Sequence, residues 1–127
     1  MHELSIALSI IEGVEEEIAR RPRAHVCTVH LKLGPLSGVV KEALLFSYQL
    51  ACEGTLLEGS TLEIEETPVV LYCAVCEQER PAASIQQLCC SFCDTPSADV
   101  RHGSELDVFA LELMDEHTAN NYATPAD

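Results

Sequence analysis

A chain of 127 residues has room for one domain and a small metal-stapled module. It is 47% hydrophobic, which is ample for a packed core and excludes a disordered polypeptide. Its 7 Lys and Arg against 21 Asp and Glu leave a formal charge of −14, so the chain has no basic face for phosphates and nucleic-acid binding is disfavoured.

Residues 4–20 read as an amphipathic helix, with Leu4, Leu8, Ile11, Val14 and Ile18 on one stripe and Glu12, Glu15, Glu16 and Glu17 turned away. Arg20 and Arg21 suit its C-terminal end, and Pro22 stops it. From His25 to Leu33 the period changes to two. Cys27, Val29, Leu31 and Leu33 form one face of a half-buried strand, and Thr28, His30 and Lys32 the other. Gly34-Pro35 and Gly38 bracket a turn, after which a second helix runs from about Val39 to Cys52 and buries Val39, Ala43, Phe46 and Leu50. Leu62 and Ile64, alternating with Glu63 and Glu65, give a second strand. Asp94 to Ser104 reads as a loop. Leu106, Phe109, Ala110 and Leu113 fit a helix face, but Phe109, Leu111 and Leu113 also alternate with Ala110 and Glu112, which favours a strand that returns to the first part of the chain.

The fold expected is therefore α+β. Two helices pack on a small three-stranded sheet, with a zinc-ribbon-like module inserted before the last strand. Residues 1–70 and 104–115 form the α/β domain, residues 71–103 the zinc-binding module and residues 116–127 a flexible tail. The apolar run Leu4 to Ile11 follows Glu3, has no basic flank and is too short to cross a bilayer. No membrane association is expected, and the cytoplasm, a reducing compartment, is the expected location.

The seven cysteines are an odd number, and four of them fall in the pairs Cys73-x2-Cys76 and Cys90-x2-Cys93, thirteen residues apart. A CxxC turn brings two thiolates to one side of a tight loop. Two such knuckles facing each other complete a tetrahedron of soft sulfur ligands that suits Zn²⁺. Four sulfurs leave no open position for water or substrate, so this zinc holds structure and does no chemistry. Only Cys90, and not its neighbour Cys89, has the two-residue spacing to Cys93. The knuckle region Cys73 to Asp99 contains a single basic residue, Arg80. Cys27 and Cys52 read as small core residues, and the histidines at 25, 30, 102 and 117 have no ligand spacing. No phosphate-binding GxxxxGK[ST] loop, GxSxG elbow or HExxH helix is present.

A different chemistry is available at the start of the chain, Met1-His2-Glu3. The free α-amine of Met1, the imidazole of His2 and the backbone nitrogens of residues 2 and 3 reach one metal ion through small chelate rings. Ni²⁺ and Cu²⁺ favour such planar nitrogen sets. The first N–H groups of a helix have no intrahelical partner, so deprotonating those amides breaks no helix hydrogen bond. Two amide anions also neutralise the dication that the helix dipole would otherwise repel.

Met-His-Glu opening a helix, Val29-His30-Leu31-Lys32-Leu33-Gly34 ahead of a second helix, Glu58-Gly59-Ser60-Thr61-Leu62, the two knuckles and Gly103-Ser104-Glu105-Leu106 together resemble the HypA/HybF family of hydrogenase nickel-incorporation proteins. The likeness covers roughly residues 1–115. It implies a non-enzymatic nickel metallochaperone for [NiFe]-hydrogenase maturation, and in some organisms for urease. The implied partners are a nickel-handling GTPase and the hydrogenase large subunit; a homodimer stays open. It implies His2 as the essential nickel ligand, Glu3 as a supporting one, and Cys73, Cys76, Cys90 and Cys93 as the holders of zinc. The chain departs from the family pattern where Cys89-Cys90 doubles a single cysteine and where Ser91-Phe92 follows in place of a frequent Pro. The competing reading is an acidic zinc-ribbon adaptor that docks a basic partner surface, with no metal-delivery role.

Overall fold

The computed structural model describes residues 2–21 and 24–115, with His2 and Asp115 defined in backbone only. Met1, the expected helix stop Pro22 and the expected tail 116–127 lie outside the described residues. The elements are helix α1 (His2–Ile18), strand β1 (Ala24–Leu33), a 3-10 turn (Pro35–Ser37), helix α2 (Lys41–Cys52), and strands β2 (Thr61–Glu66), β3 (Val70–Cys73), β4 (Gln78–Pro81), β5 (Val100–His102) and β6 (Leu106–Asp115). They form two three-stranded sheets, in the orders β2-β1-β6 and β4-β3-β5.

The chain divides into two compact units. The first takes the described residues within Met1–Leu31, Val39–Ile64 and Val108–Asp127; the second takes Lys32–Gly38 and Glu65–Asp107.

In the first unit α1 packs on α2. The buried stripe of α1 is Ala7, Ile10, Ile11, Val14 and Ile18, whereas Leu4 and Leu8, expected inside, are 44% and 52% exposed. Ile11, Val14 and Ile18 of the expected stripe are inside, and in the first turns Ala7 takes the inward place expected for Leu4 and Leu8. In α2 the difference is larger. Leu44, Tyr48 and Cys52 face inward, and Phe46 and Leu50 face solvent. Apolar residues occur nearly all round this helix, so spacing alone does not single out one face. In β1 Val26 is buried and Cys27 only half-buried, because the alternation slips between Val26 and Val29 before resuming at Val29, Leu31 and Leu33. Burying Leu31, Leu44 and Leu57 contributes about 1.5–3 kcal/mol each. Tyr48 is buried too, and its hydroxyl bonds Ser60 Oγ at 2.7 Å, so no polar atom is stranded; burial pushes its ionisation far up. After α2, the Thr55 hydroxyl donates to the Cys52 carbonyl at 2.7 Å and closes the helix end. Gly54 lies in the left-handed region, φ 79°, which only glycine enters without strain.

In the second unit β3 and β4 form an antiparallel hairpin, with Val70 opposite Pro81 and Cys73 opposite Gln78. β5 pairs on the other side of β3, with Val70 opposite His102 and a register shift before Leu71 meets Val100. Gly34 and Gly103 meet backbone to backbone at the edge of this unit. A Cβ on Gly34 would lie 2.1 Å from the Gly103 carbonyl oxygen, so no larger residue fits. The contact is sealed by Gly34 N–H donating to the Glu105 carbonyl at 2.8 Å and Leu36 N–H to the Gly103 carbonyl at 2.7 Å. Two sequence segments far apart in the chain, ending in Gly34 and beginning at Gly103, therefore serve one junction.

Candidate metal centre

The first knuckle is the turn of the β3–β4 hairpin. Cys73 ends β3, and the Cys76 N–H points back at the Cys73 sulfur at 3.3 Å. In the second knuckle the donor is one residue earlier in the turn, the Phe92 N–H at 3.3 Å from the Cys90 sulfur. The bridge Ala82–Cys90 and the Ser91 N–H donating to the Pro81 carbonyl at 3.1 Å tie the second knuckle to the end of β4, and the bridge Cys89–Pro96 closes the knuckle on itself. Leu71, Cys73 and Cys90 are fully buried, with Cys76, Ala82 and Leu88 packed against them.

The result brings the sulfurs of Cys73, Cys76, Cys90 and Cys93 within 4.8 Å of one another. Cys73 to Cys93 is 3.4 Å, Cys76 to Cys93 is 3.8 Å and Cys76 to Cys90 is 3.9 Å. A tetrahedron with Zn–S bonds of about 2.3 Å has sulfur–sulfur edges of about 3.8 Å, so the cage has the right size without rearrangement. Cys89 is not part of the group, since its backbone is occupied in the Cys89–Pro96 bridge and its neighbour supplies the ligand.

The four thiols are not equivalent. Thr95 donates to the Cys93 sulfur from both its side chain and its backbone, with Oγ1 at 3.1 Å. Together with Cys73 it pulls the Cys93 thiol down to about 6. At Cys76 the largest influence is the Arg80 guanidinium, which acts to lower its pKa. Desolvation and the hydrogen bonds of Cys73, Cys93 and Cys90 outweigh it and hold that thiol up at about 11. Cys93 is therefore the most readily ionised of these sulfurs, and an entering dication favours the thiolate at all four. With four sulfurs in place the centre is closed, which is the arrangement of a structural zinc site.

Sequence reasoning passed over two neighbours of this cage, Arg80 and Phe92. The Arg80 guanidinium carbon lies 3.9 Å from the centroid of the Phe92 ring. The available signal was Arg80's isolation as the one basic residue between Cys73 and Asp99.

At the other candidate site, α1 begins at His2, and the carboxylate of Glu3 accepts the Val40 N–H at 3.2 Å, just ahead of α2. Met1 and the side chain of His2 lie outside the described residues. Among the remaining histidines, His30 Nε2 meets Glu112 Oε2 at 2.6 Å beside the Phe109 ring, and His102 Nδ1 lies 3.2 Å from Glu105. His25 is exposed, and His117 lies outside the described residues. Cys52 is buried at the end of α2, and burial raises its thiol.

Residues 1–113 match the family model described as hydrogenase/urease nickel incorporation, metallochaperone, HypA. The chain belongs to the HypA family. It is 44% identical over 116 residues to a hydrogenase maturation factor HypA of Roseiflexus sp. (strain RS-1), covering 91% of this chain and 94% of that one. It is 43% identical over 112 residues to the factor of the same name from Chloroflexus aurantiacus (strain ATCC 29366 / DSM 635 / J-10-fl), covering 88% and 98%. In fold it is similar to the solution structure of the Ni metallochaperone HypA from Helicobacter pylori, with a TM-score of 0.65 at 24% identity over 91% of this chain and all of that one. The α+β fold is thus shared with that structure, and family membership places the chain among hydrogenase and urease nickel-incorporation factors. Among the described residues, no helix is long and apolar enough to cross a membrane.

Proposed function

We propose that the chain is a non-enzymatic nickel carrier that binds Ni(II) at its N-terminus and hands it on during [NiFe]-hydrogenase maturation, and in a urease-bearing cell to urease. The observation that carries this reading is the family match, which begins at residue 1 and so includes Met1-His2-Glu3. Met1 supplies the amine, His2 the imidazole and the amides of residues 2 and 3 the rest of a nitrogen set that Ni(II) favours. The start of α1 at His2 supports amide ligation, because N–H groups in a first helical turn have no intrahelical acceptor to lose. Glu3 is the supporting residue. Its bond to the Val40 N–H anchors the backbone next to His2 to the segment that opens α2.

In this reading residues 1–70 and 104–115 handle nickel, and residues 71–103 are the zinc-held module. Delivery requires a partner that receives the ion, a nickel-handling GTPase or the hydrogenase large subunit. Protonating one amide, or docking the partner against α1, removes a ligand and frees the ion. The test compares chain with a native, unblocked N-terminus against chain carrying an N-terminal extension. A carrier loses specific nickel binding when the amine is blocked, whereas equal binding by both forms contradicts the proposal.

A further inference from the structure

The tetrathiolate cage has an electrostatic problem that its own ligands do not solve. Four thiolates around a dication carry a net double negative charge, inside a chain whose formal charge is already −14. Charge of this kind on the sulfurs makes them better nucleophiles and weakens the hold on the metal, unless outer groups offset it. Backbone N–H groups do part of this work, at Cys73 from Cys76 and at Cys90 from Phe92. Neither reaches Cys76.

Arg80 stands where the missing charge belongs. It sits on β4 directly opposite Leu71, which is buried with Cys73 and Cys90. Its guanidinium carbon lies over the Phe92 ring, 3.9 Å from the centroid, and Phe92 stands in sequence between the two ligands of the second knuckle. Among the four cysteines of the cage, Cys76 is the one whose thiol the Arg80 guanidinium acts to ionise. Its Nε–H is fully buried with no acceptor in hydrogen-bond geometry, the only such side-chain atom among the described residues. Buried donors are nearly always satisfied. An arginine donor stranded beside a thiol, with its cation held over an aromatic ring, is matched to an acceptor that becomes strong once that thiol binds the metal as thiolate.

We propose that Arg80 is the built-in countercation of the tetrathiolate centre, a positioning residue that holds the charge of the Cys76 thiolate and so slows loss of the metal. Phe92 is its brace. The second-knuckle sequence Cys90-Ser91-Phe92-Cys93 thereby gains a purpose, because the ring carried between the two cysteines fixes the cation over the first knuckle. The other arginine of this module, Arg101, is committed elsewhere: it pairs with Asp99 at 2.8 Å and lies over the Tyr72 ring at 4.8 Å.

The test uses the full chain loaded with Zn²⁺ alone, and in parallel with Co²⁺ alone, as parent, Arg80→Met, Arg80→Lys, Phe92→Leu and Arg101→Met. Transfer of zinc to a chromogenic chelator is expected to be about 10–100-fold faster in Arg80→Met, the range for loss of an outer-shell partner. Arg80→Lys and Phe92→Leu should fall between that variant and the parent, and Arg101→Met should match the parent. Alkylation of the zinc-loaded cysteines should accelerate in the same order. With cobalt, the sulfur-to-metal charge-transfer band should move to lower energy in Arg80→Met while the ligand-field bands keep their tetrahedral pattern, a signature that mere loosening of the fold would not give. Arg80→Met transferring zinc within twofold of the parent, or Arg101→Met accelerating transfer equally, would overturn the proposal. Should Arg80→Met fail to hold metal at all, unchanged transfer rates in both Arg80→Lys and Phe92→Leu would overturn it as well.

Discussion

Glu77 and Asp94 occupy one backbone position twice over. Each follows the second cysteine of a knuckle, each lies in the left-handed region with φ 59° and 67°, and each donates its N–H to the carbonyl of the first cysteine of its knuckle, at 2.7 Å for Glu77 to Cys73 and 2.8 Å for Asp94 to Cys90. The two halves of the cage are therefore built by the same local turn, which aims both pairs of sulfurs at one point.

A non-glycine residue in that region is strained, Asp less than Glu because its short side chain tolerates it. Glu77→Gly is expected to relieve about 1–2 kcal/mol of strain and to give back part of it through the freer unfolded chain, for a net stabilisation of about 0.5–1 kcal/mol. Asp94→Gly should gain less. Denaturation of the zinc-loaded chain measures both, and destabilisation by Glu77→Gly would show that the Glu77 side chain has a role beyond occupying the turn.

Glu105 gives the second unit an acid-sensitive joint. Its carboxylate accepts from the Thr67 hydroxyl at 2.8 Å, from backbone N–H groups including Gly103 at 2.8 Å, and from His102; these bonds hold its pKa at about 2, below the ordinary 4.5. The folded form therefore binds fewer protons than the unfolded one between those values. The carboxylate's contribution is fully present above pH about 4.5 and is lost as pH falls through about 2. Glu105→Gln is expected to cost about 1–2 kcal/mol at neutral pH and to flatten the fall in stability between those limits. Parallel acid titrations of parent and variant, followed by circular dichroism, check this; equal steepness would place the acid sensitivity elsewhere.

The doubled cysteine makes a sharp comparison. Cys90 is one of the four converging sulfurs and Cys89 is not. Cys89→Ser should leave bound zinc unchanged, and Cys90→Ser should release zinc or unfold the module, because the binding energy of such a site is also folding energy. Metal analysis of the two purified variants decides, and zinc loss from Cys89→Ser would reassign the ligand.

What the sequence made legible follows from how local each signal is. The cage was readable because a CxxC pair encodes its own turn, and the two pairs needed only a hairpin to meet. Leu106 to Leu113 was open between helix and strand; it is a strand, but of the alternating face only Leu113 is buried and Phe109 is 46% exposed. The inward faces of the helices were less readable. Phe46 and Leu50 are as apolar as Leu44 and Tyr48, and only the packing of α2 against α1 separates them. Cys27 was misplaced because a one-residue slip in β1 leaves no mark in composition. Arg80 and Phe92 escaped notice because their contact joins β4 to the second knuckle, a pairing that no spacing rule encodes.

Nickel binding through deprotonated amides must release protons. A protonated amide nitrogen has no lone pair to donate, and the α-amine, with an ordinary pKa of about 7.7–8.0, must also be neutral. Affinity should weaken steeply as pH falls from about 8 towards 6, and the loaded site should be yellow and diamagnetic. Calorimetry in buffers of different ionisation enthalpy counts the protons. A count near zero at neutral pH, with a pale paramagnetic complex, would replace the amides with the Glu3 carboxylate and waters.

If this chain carries nickel on its first residues, the imidazole of His2 is the ligand whose removal should cost it the ion. Equilibrium dialysis against Ni²⁺, with zinc content and circular dichroism recorded on the same samples, compares His2→Ala with the parent. The parent should take up nickel specifically, His2→Ala should lose that uptake, and zinc content and fold should be identical in both. Nickel bound equally well by His2→Ala would contradict the proposal.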